Sequence, residues 1–431
     1  MDTDRIITRL TALTRAHLVP GSQLAVHHAG RTWTYEVGLP ADAAVPIGSV
    51  TKTFTATVAM ALVSDGDLDL DAPLSDHLPG VADELTLRHL LSHTGGLPSD
   101  PEDPDDVRAT SLRRHVRQAV RELHPLHRPG AGFSYSNLGY TLIGHLIEVA
   151  TGMSWWEAVD AVLLRPLGLR ARFTTGPADV AAGPADIVTG HAVNPATGRV
   201  VPVRQSLAPV DAPAGALAAS ATDLVTFGRM LGGAAPHLID PDGLALMRAP
   251  VRHAEPFGMA DGWGLGLALF QRDGVGWVGH DGTADGTSCH LRINPADGTA
   301  VALTTNASSG FAMWRDLVPD LVDAGLPVAD YDGMRGLHHR IPPPPDCTGR
   351  FRNGEVEYAV RAVDRERLAL TVDGEPFADL SLFDGLVFAM RDSDTGDTNQ
   401  TGRFLRDPGD GGIRWIQIGG RLARRQVTTM S

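Results

Sequence analysis

The stretch Ser49–Val63, SVTKTFTATVAMALV, places two reactive side chains at the start of a long run of small and apolar residues. Such a run predicts a largely buried helix. Ser49 and Lys52 are three residues apart, which puts both side chains on one face of a helix. A serine hydroxyl needs a neighbouring base, and burial makes it easier for a lysine to lose its proton. The stretch therefore predicts a nucleophile, Ser49, that is activated by Lys52.

Lysine occurs at position 52 and nowhere else in the 431 residues, so all other basic residues among the 37 Lys and Arg are arginines. Arginine is a poor proton acceptor because its pKa exceeds about 12. A role that needs a neutral amine would resist replacement of lysine by arginine. The alternative interpretation is that one lysine survived by chance.

The composition limits the class of protein. Hydrophobic residues make up 43% and charged residues 20%, which is typical of a soluble globular chain with one large and one small domain. A net charge of −14 argues against a nucleic-acid partner. We see no membrane span and no secretory signal, so we expect a cytoplasmic protein without a membrane partner. The distant Cys289 and Cys347 predict neither a disulfide framework nor a zinc site.

The spacing of apolar residues predicts the regular elements. Helical spacing predicts helices over 3–18, 138–150, 219–231 and 312–324. Strand-like runs occur at 23–27, 32–37, 264–271, 275–279, 287–293 and 299–305. The segment 100–106 is acidic and contains prolines, which indicates a loop.

The residue pattern changes after about residue 340 and divides the chain into two parts. The proline-rich stretch Ile341–Pro345 predicts a stiff, extended linker, and short alternating runs separated by turns follow it. Such runs are typical of a small all-β barrel. We therefore predict a catalytic domain over 1–335, a linker over 336–345 and a β-barrel domain over 346–431.

A second candidate motif is Tyr135-Ser136-Asn137, just before the helix predicted at 138–150. A tyrosine can relay a proton, and an asparagine amide can hold both a lysine and a substrate carbonyl. The alternative is structural, because Ser136 or Asn137 alone would suit a helix cap.

The third motif is Gly279-His280-Asp281-Gly282-Thr283, which we interpret as a glycine-rich turn between two strands. Its glycines would let a substrate backbone lie against a strand. His280 can donate a hydrogen bond or move a proton near neutral pH. A purely structural histidine in the turn is the alternative.

Together, the three motifs resemble the serine β-lactamase and penicillin-binding-protein superfamily. Leu90–Pro98, LLSHTGGLP, and Gly132–Asn137, GFSYSN, support this resemblance. The third motif is usually Lys-Thr-Gly in β-lactamases, whereas His-Asp-Gly resembles the class C-like esterases, D-aminopeptidases and peptide cyclases. Antibiotic hydrolysis is therefore disfavoured.

Other segments resemble the penicillin-binding-protein-type thioesterases, which are stand-alone nonribosomal peptide cyclases of the surugamide cyclase type. These segments are Met153–Trp156, Ala254–Leu267, Ser288–Ile293, Thr401–Phe404 and Gly419–Arg421. The resemblance spans nearly the whole chain. It implies an α+β fold, in which a β-lactamase/transpeptidase-like domain with an antiparallel sheet, flanking helices and a helical lobe precedes a lipocalin-like β-barrel.

The resemblance also implies a mechanism. Ser49 would attack the thioester of a peptide carried on the phosphopantetheine arm of a peptidyl carrier protein. Lys52 and Tyr135 would take the serine proton, and Asn137 and His280 would orient these groups and the acyl chain. The N-terminal amine of the peptide would then displace the serine and close a macrolactam. The residue bound to Ser49 is typically a D-amino acid in this family.

Further roles follow from the same resemblance. The backbone N–H groups of Ser49 and Thr283 would form an oxyanion hole. Asp281, Gly282 and Arg421 would contact the substrate, and Arg421 would reach the acyl residue from the barrel. We expect a monomer that uses no metal and no cofactor other than the pantetheine that carries the substrate.

Two alternatives remain open. An esterase, D-amino-acid peptidase or other serine hydrolase of the same fold would use the same catalytic residues. A non-enzymatic sensor would form a stable adduct at Ser49 without turnover. An α/β-hydrolase and a zinc peptidase are disfavoured, because the chain has no Gly-x-Ser-x-Gly elbow and no His-Glu-x-x-His motif. We expect Trp155 and Trp156 to belong to the core of the helical lobe.

Overall fold

The computed structural model describes residues 2–99, 111–177, 186–234, 238–393, 396 and 398–426, so the acidic segment 100–106 lies outside it. The helices are α1 Thr3–Ala16, α2 Thr51–Asp65, α3 Leu87–Leu91, α4 Leu112–Arg121, α5 Asn137–Thr151, α6 Trp155–Val159, α7 Arg165–Leu167, α8 Ala212–Gly215, α9 Ala221–Arg229, α10 Pro241–Arg248 and α11 Gly310–Asp323. The strands of the catalytic domain are β1 Ser22–His28, β2 Arg31–Val37, β3 Val45–Pro46, β4 Arg172–Phe173, β5 Gly190–Asn194, β6 Arg199–Val203, β7 Leu217–Ala219, β8 Gly262–Trp263, β9 Ala268–Arg272, β10 Val275–Ala284, β11 Thr287–Asn294 and β12 Thr299–Thr305.

An antiparallel sheet forms the centre of the catalytic domain. In the described residues it has seven strands in the order β2-β1-β12-β11-β10-β9-β8. Side chains alternate between its faces, as the pleat requires. On β12, Leu303 packs in one core with α1 and α11, whereas the neighbouring Ala302 packs in another with α2, α5 and α9. The sheet is therefore covered on both faces, and the predicted α+β class is confirmed.

The helical lobe is built around α2, whose residues from Thr51 to Leu62 are all buried. A helix that is apolar or small on every side belongs in a core rather than at a surface. It ends at Gly66, which has a φ of +83° and so takes the left-handed conformation common at helix ends. Trp155 and Trp156 are buried in this lobe, which confirms their assignment to the core.

The C-terminal part is a closed antiparallel barrel, as predicted. Its described strands are β13 Gly349–Asn353, β14 Val356–Ala362, β15 Arg367–Val372, β16 Glu375–Phe383, β17 Val387–Asp392, β18 Thr398–Arg406, β19 Ile413–Ile418 and β20 Arg421–Arg425. Pairing of β13 with β20 closes the barrel. Large side chains, including Phe351, Phe388 and Phe404, fill its interior.

Three details differ from the sequence prediction. The strand predicted over 264–271 is found only in its second half, as β9, because the chain turns between β8 and β9 at Gly266, which has a φ of +77°. Gly279–Thr283 lies inside the continuous strand β10 rather than in a turn. Ser49 lies in a 3₁₀ turn, Gly48–Val50, that precedes α2. The sequence pattern missed the continuous strand because the glycines that indicated a turn in fact allow β10 to pack closely against this 3₁₀ turn. None of the described helices is long and apolar enough to cross a bilayer.

Candidate active site

Ser49 and Lys52 face each other at the start of α2. The distance from Lys52 Nζ to Ser49 Oγ is 3.1 Å, within hydrogen-bond reach. Lys52 also donates to the Ala214 carbonyl at 2.8 Å, and its side chain is fully buried. Its Nζ lies 5.1 Å from the centroid of the Tyr135 ring and 5.8 Å from that of Tyr140. The structure thus places the predicted base beside the predicted nucleophile.

Tyr135 and Asn137 come from the segment that leads into α5. The buried Tyr135 has its ring over Lys52, and its backbone N–H donates to the Gly420 carbonyl of the barrel at 3.0 Å. Asn137 is the first residue of α5. Ser136 caps this helix by accepting from Gly139 N–H at 3.0 Å, so the capping role belongs to Ser136.

His280 approaches the site from β10 and is buried. Its ring centroid lies 6.2 Å from that of Tyr135 and 5.3 Å from that of Trp263. Its Nδ1 donates to the Asp281 carbonyl at 2.6 Å, since a carbonyl can only accept. Burial and the nearby Lys52 charge lower the His280 pKa to about 4. Neutral His280 therefore presents an unprotonated Nε2, which has no hydrogen-bond partner among the described residues.

The backbone of β10 lies against the 3₁₀ turn that carries Ser49. A Cβ on Gly282 would overlap the Ile47 carbonyl oxygen and lie 3.1 Å from the Ser49 nitrogen. A Cβ on Gly48 would likewise lie 2.9 Å from the Thr283 nitrogen. This close approach requires glycine at both positions. It brings together the two segments that carry the predicted oxyanion-hole donors, Ser49 and Thr283.

The Asp281 side chain is not brought together with the other predicted site residues. It is next to His280 on β10 and so points to the other face of the sheet. There its carboxylate pairs with Arg292, at 2.7 and 3.0 Å, and with His290 Nδ1, at 2.8 Å. Arg292 pairs with Asp330 as well, at 2.5 Å. Asp281 therefore belongs to a buried ionic network, and only its main chain faces His280.

Arg421 reaches the site from the barrel, at the start of β20. Its guanidinium carbon lies 5.4 Å from the centroid of the Tyr135 ring. Tyr135 therefore lies near two basic side chains, Lys52 from the catalytic domain and Arg421 from the barrel. The contact of Arg421 with the acyl residue of a substrate stays a prediction.

Sequence reasoning gave His93 no role, but the structure places it at the centre of the site's aromatic cluster. Its ring lies 4.3 Å from that of Tyr135 and 5.2 Å from that of Trp263. Its Nδ1 accepts from Ser136 N–H at 3.1 Å. Burial, followed by the charge of Lys52, holds the His93 pKa well below its usual value. The motif LLSHTGGLP was visible in the sequence, but nothing in it indicates this packing.

The described residues contain no group of three or more His, Cys, Asp or Glu side chains that could hold a metal ion. The chemistry available from the site's own residues is acyl transfer: a hydroxyl nucleophile, an adjacent amine, a phenol and backbone donors at an approaching strand.

The chain belongs to the Beta-lactamase family, whose model matches residues 4–323. It is 34% identical to "Penicillin-binding protein 4" of Amycolatopsis lactamdurans over 344 residues, which cover 73% of this chain and 88% of that protein. It is thus a serine acyltransferase or hydrolase of the penicillin-binding-protein type.

Solved structures show which members of this family the chain resembles in fold. The crystal structure of SurE matches with a TM-score of 0.86 and 38% identity, covering 98% of both chains, and SurE with D-Leu matches with a TM-score of 0.84. A D-stereospecific amidohydrolase from Streptomyces sp. matches with a TM-score of 0.60 and 28% identity, covering 72% of this chain and 95% of that chain.

Proposed function

We propose that this protein is a trans-acting thioesterase that transfers a nonribosomal peptide from a carrier-protein thioester to Ser49 and releases it by head-to-tail macrolactamisation. The similarity to SurE, a surugamide cyclase, carries the proposal, because it extends over 98% of both chains and so includes the barrel. The solved complex of SurE with D-Leu supports a D-residue at the acyl end.

The first step transfers the acyl group. Ser49 Oγ bonds to the thioester carbonyl carbon while its proton passes to the Lys52–Tyr135 pair, and the C–S bond breaks to release a thiol that takes up a proton. The 3.1 Å distance from Lys52 Nζ to Ser49 Oγ is short enough for direct proton transfer. Backbone N–H groups of Ser49 and Thr283 would stabilise the oxyanion.

The second step decides between a ring and an acid. The peptide's amine attacks the ester carbonyl, loses a proton and displaces Ser49 Oγ, which regains its proton. A bound chain that holds its amine at the carbonyl reaches an effective molarity of roughly 10⁵–10⁸ M, which outcompetes water. Phe133, Tyr135 and Trp263 pack into an aromatic wall at the site, and Arg421 of the barrel approaches it, which supports the exclusion of water from the acyl-enzyme.

Hydrolysis is the second candidate, and the match to the D-stereospecific amidohydrolase favours it. Three pantetheine thioesters of one linear peptide would distinguish the two functions: a free amine with a C-terminal D-residue, the same with an L-residue, and an N-acetylated D-form. We expect a macrolactam from the first, little product from the second and only linear acid from the third, measured by mass spectrometry. Linear acid alone from the first, across several peptide sequences, would favour the hydrolase.

The Ser49→Ala variant is the control for uncatalysed thioester loss. Loading the same peptide on a peptidyl carrier protein tests the partner, since a kcat/KM no higher than that of the pantetheine thioester would contradict carrier-protein recognition.

A cytoplasmic location and a monomeric state belong to the same proposal. Both can be measured directly, by fractionation of cells and by light scattering.

A further inference from the structure

A buried amide joins the barrel to the catalytic domain. Asn353, the last residue of β13, is 2% exposed. Its Oδ1 accepts from Ser99 N–H at 2.7 Å, and its Nδ2 donates to the Leu422 carbonyl at 2.9 Å. Both partners are main-chain groups of fixed polarity, so they define the orientation of the amide. An amide paired at both ends in a buried setting forms a rigid connection.

Ser99 continues this connection to the catalytic loop. Its carbonyl accepts from Asn137 N–H at 2.7 Å and from Leu138 N–H at 3.2 Å. Its hydroxyl donates to the Tyr135 carbonyl at 3.2 Å. Ser99 therefore holds the main chain at both candidate catalytic residues of this loop, and Asn353 holds Ser99.

The barrel also bonds directly to the loop. Tyr135 N–H donates to the Gly420 carbonyl at 3.0 Å. Leu422 N–H donates to Ser134 Oγ at 3.3 Å, and that oxygen lies 3.5 Å from Asn353 Nδ2. The main chain of Tyr135 is thus bonded on both sides, once to the barrel and once to Ser99.

We propose that Asn353 is a positioning residue for the acylation of Ser49. Through Ser99 it fixes the main chain of Tyr135 and Asn137, so that the barrel helps to set the catalytic geometry as well as covering the site. A misplacement of about 1 Å at a reacting group can cost on the order of 100-fold in rate. The inference rests on serine acyl transfer alone and not on the identity or the fate of the acyl group.

The test compares two similar buried amides. Asn353→Leu removes the hydrogen bonds of the side chain to Ser99, Leu422 and Ser134 at nearly constant shape. Gln417→Met is the matched control, because Gln417 is 1% exposed and its Nε2 also bonds the catalytic domain, at 3.0 Å from the Glu255 carbonyl and 3.4 Å from the Phe133 carbonyl, but it does not contact Ser99. The probe is p-nitrophenyl acetate, with acylation followed as a burst of p-nitrophenol and confirmed on Ser49 by mass spectrometry.

We expect both variants to melt at a similarly lower temperature. Well below that temperature, Asn353→Leu should acylate about 10- to 100-fold more slowly with KM within about twofold, whereas Gln417→Met should stay within about twofold of the wild type. Equal losses in both variants, or a normal acylation rate in Asn353→Leu, would overturn the inference.

Ser99→Ala provides an independent arm if Asn353→Leu does not fold. It removes only the bond from the Ser99 hydroxyl to the Tyr135 carbonyl and leaves the barrel contacts in place. We expect acylation to slow by about fivefold to tenfold, as for loss of one buried hydrogen bond. An unchanged acylation rate would overturn the part of the inference in which the Ser99 hydroxyl fixes the main chain of Tyr135. Because the probe needs no amine, these outcomes are independent of whether the enzyme makes rings.

Discussion

The two sides of the active site are held in different ways. Ser49 and Lys52 belong to one short segment, and helical geometry alone brings their side chains together. Tyr135 and His280 come from distant segments, and contacts from the barrel and from β11 hold the elements that carry them. The nucleophile side is thus encoded locally, whereas the facing side depends on the complete fold. Each side can be tested separately.

The largest expected effect is on the local side. Lys52→Arg keeps the positive charge but replaces an amine that can lose its proton with a guanidinium that cannot. We expect the rate of Ser49 acylation by an activated ester to fall by about 10⁴-fold or more, as for loss of a base from other serine enzymes. The measurement is acyl-enzyme formation by mass spectrometry.

Lys52→Met serves as the comparison for that experiment, since it removes both the base and the charge. Lys52→Arg and Lys52→Met should be equally inactive if proton transfer is the role of Lys52. Activity that survives in Lys52→Arg would mean that the only lysine of the chain supplies charge alone.

The same division explains what the sequence could predict. Ser49 and Lys52 could be predicted because their chemistry and spacing lie within four residues. The barrel could be predicted from the alternating runs that follow the linker. The contacts of Asn353 and the ring packing of His93 join residues far apart in the chain. No local pattern encodes such pairings, so they became visible only in three dimensions.

The second prediction concerns the network behind β10. Arg292→Met leaves the partly buried carboxylates of Asp281 and Asp330 without the buried cation that they share, although Asp281 keeps its contact with His290. We expect a loss of about 3 to 5 kcal/mol in the free energy of unfolding at pH 7, measured by denaturant titration. The control is Asp71→Asn, which breaks the exposed pair with Arg88 and should cost less than about 1 kcal/mol.

The stability that the Asp281 carboxylate contributes should change with pH in a defined direction. Burial by itself raises the pKa of Asp281, but Arg292 and His290 outweigh it and hold the pKa below the ordinary value of 3.8. The stability from this carboxylate is therefore complete above about pH 4 and is lost as the pH falls through the lower, folded-state value. Similar unfolding energies for wild type and Arg292→Met at pH 7 would contradict a stabilising role for the network.

The third prediction tests the approach of β10 to the nucleophile. Gly282→Ala places a methyl group against the Ile47 carbonyl and the Ser49 nitrogen, so one segment must move. We expect kcat for acylation to fall by about 100-fold, comparable to the loss of an oxyanion-hole donor. Gly276→Ala is the matched control on the same strand, because a Cβ there would lie 3.4 Å from the nearest atom, on a flexible glutamine side chain. If the two variants acylate equally well, close packing at Gly282 is not needed for catalysis.

The third motif, Gly279–Thr283, does not form the turn that its sequence predicts. Its glycines predicted a turn because glycine is common in turns, yet here they permit backbone-to-backbone packing inside a strand. Only the position of the 3₁₀ turn beside β10 distinguishes these uses of glycine. Alternation along β10 then separates His280, at the site, from Asp281, in the ionic network.

The smallest effect is expected for His280→Gln, which keeps a hydrogen-bond acceptor but cannot titrate. Because the His280 pKa is about 4, the wild-type side chain is already neutral between pH 5 and 8. We expect acylation within about tenfold of the wild type and pH–rate profiles of the same shape over this range. A limb near pH 6 that is present in the wild type and absent from the variant would show that His280 titrates during catalysis.

The pH dependence of the melting temperature also tests the protonation state of His280. The folded-state pKa of about 4 lies below the unfolded value of 6.5, so the unfolded chain binds the proton more readily between these values. The contribution of neutral His280 is thus complete above pH 6.5 and is lost as the pH falls toward 4. His280→Gln should lose less melting temperature than the wild type between pH 7 and 5, whereas His338→Gln, an exposed control, should follow the wild type. Equal losses in all three proteins would mean that the fold does not hold His280 in its neutral form. The facing side of the site would then be less rigid than its contacts indicate.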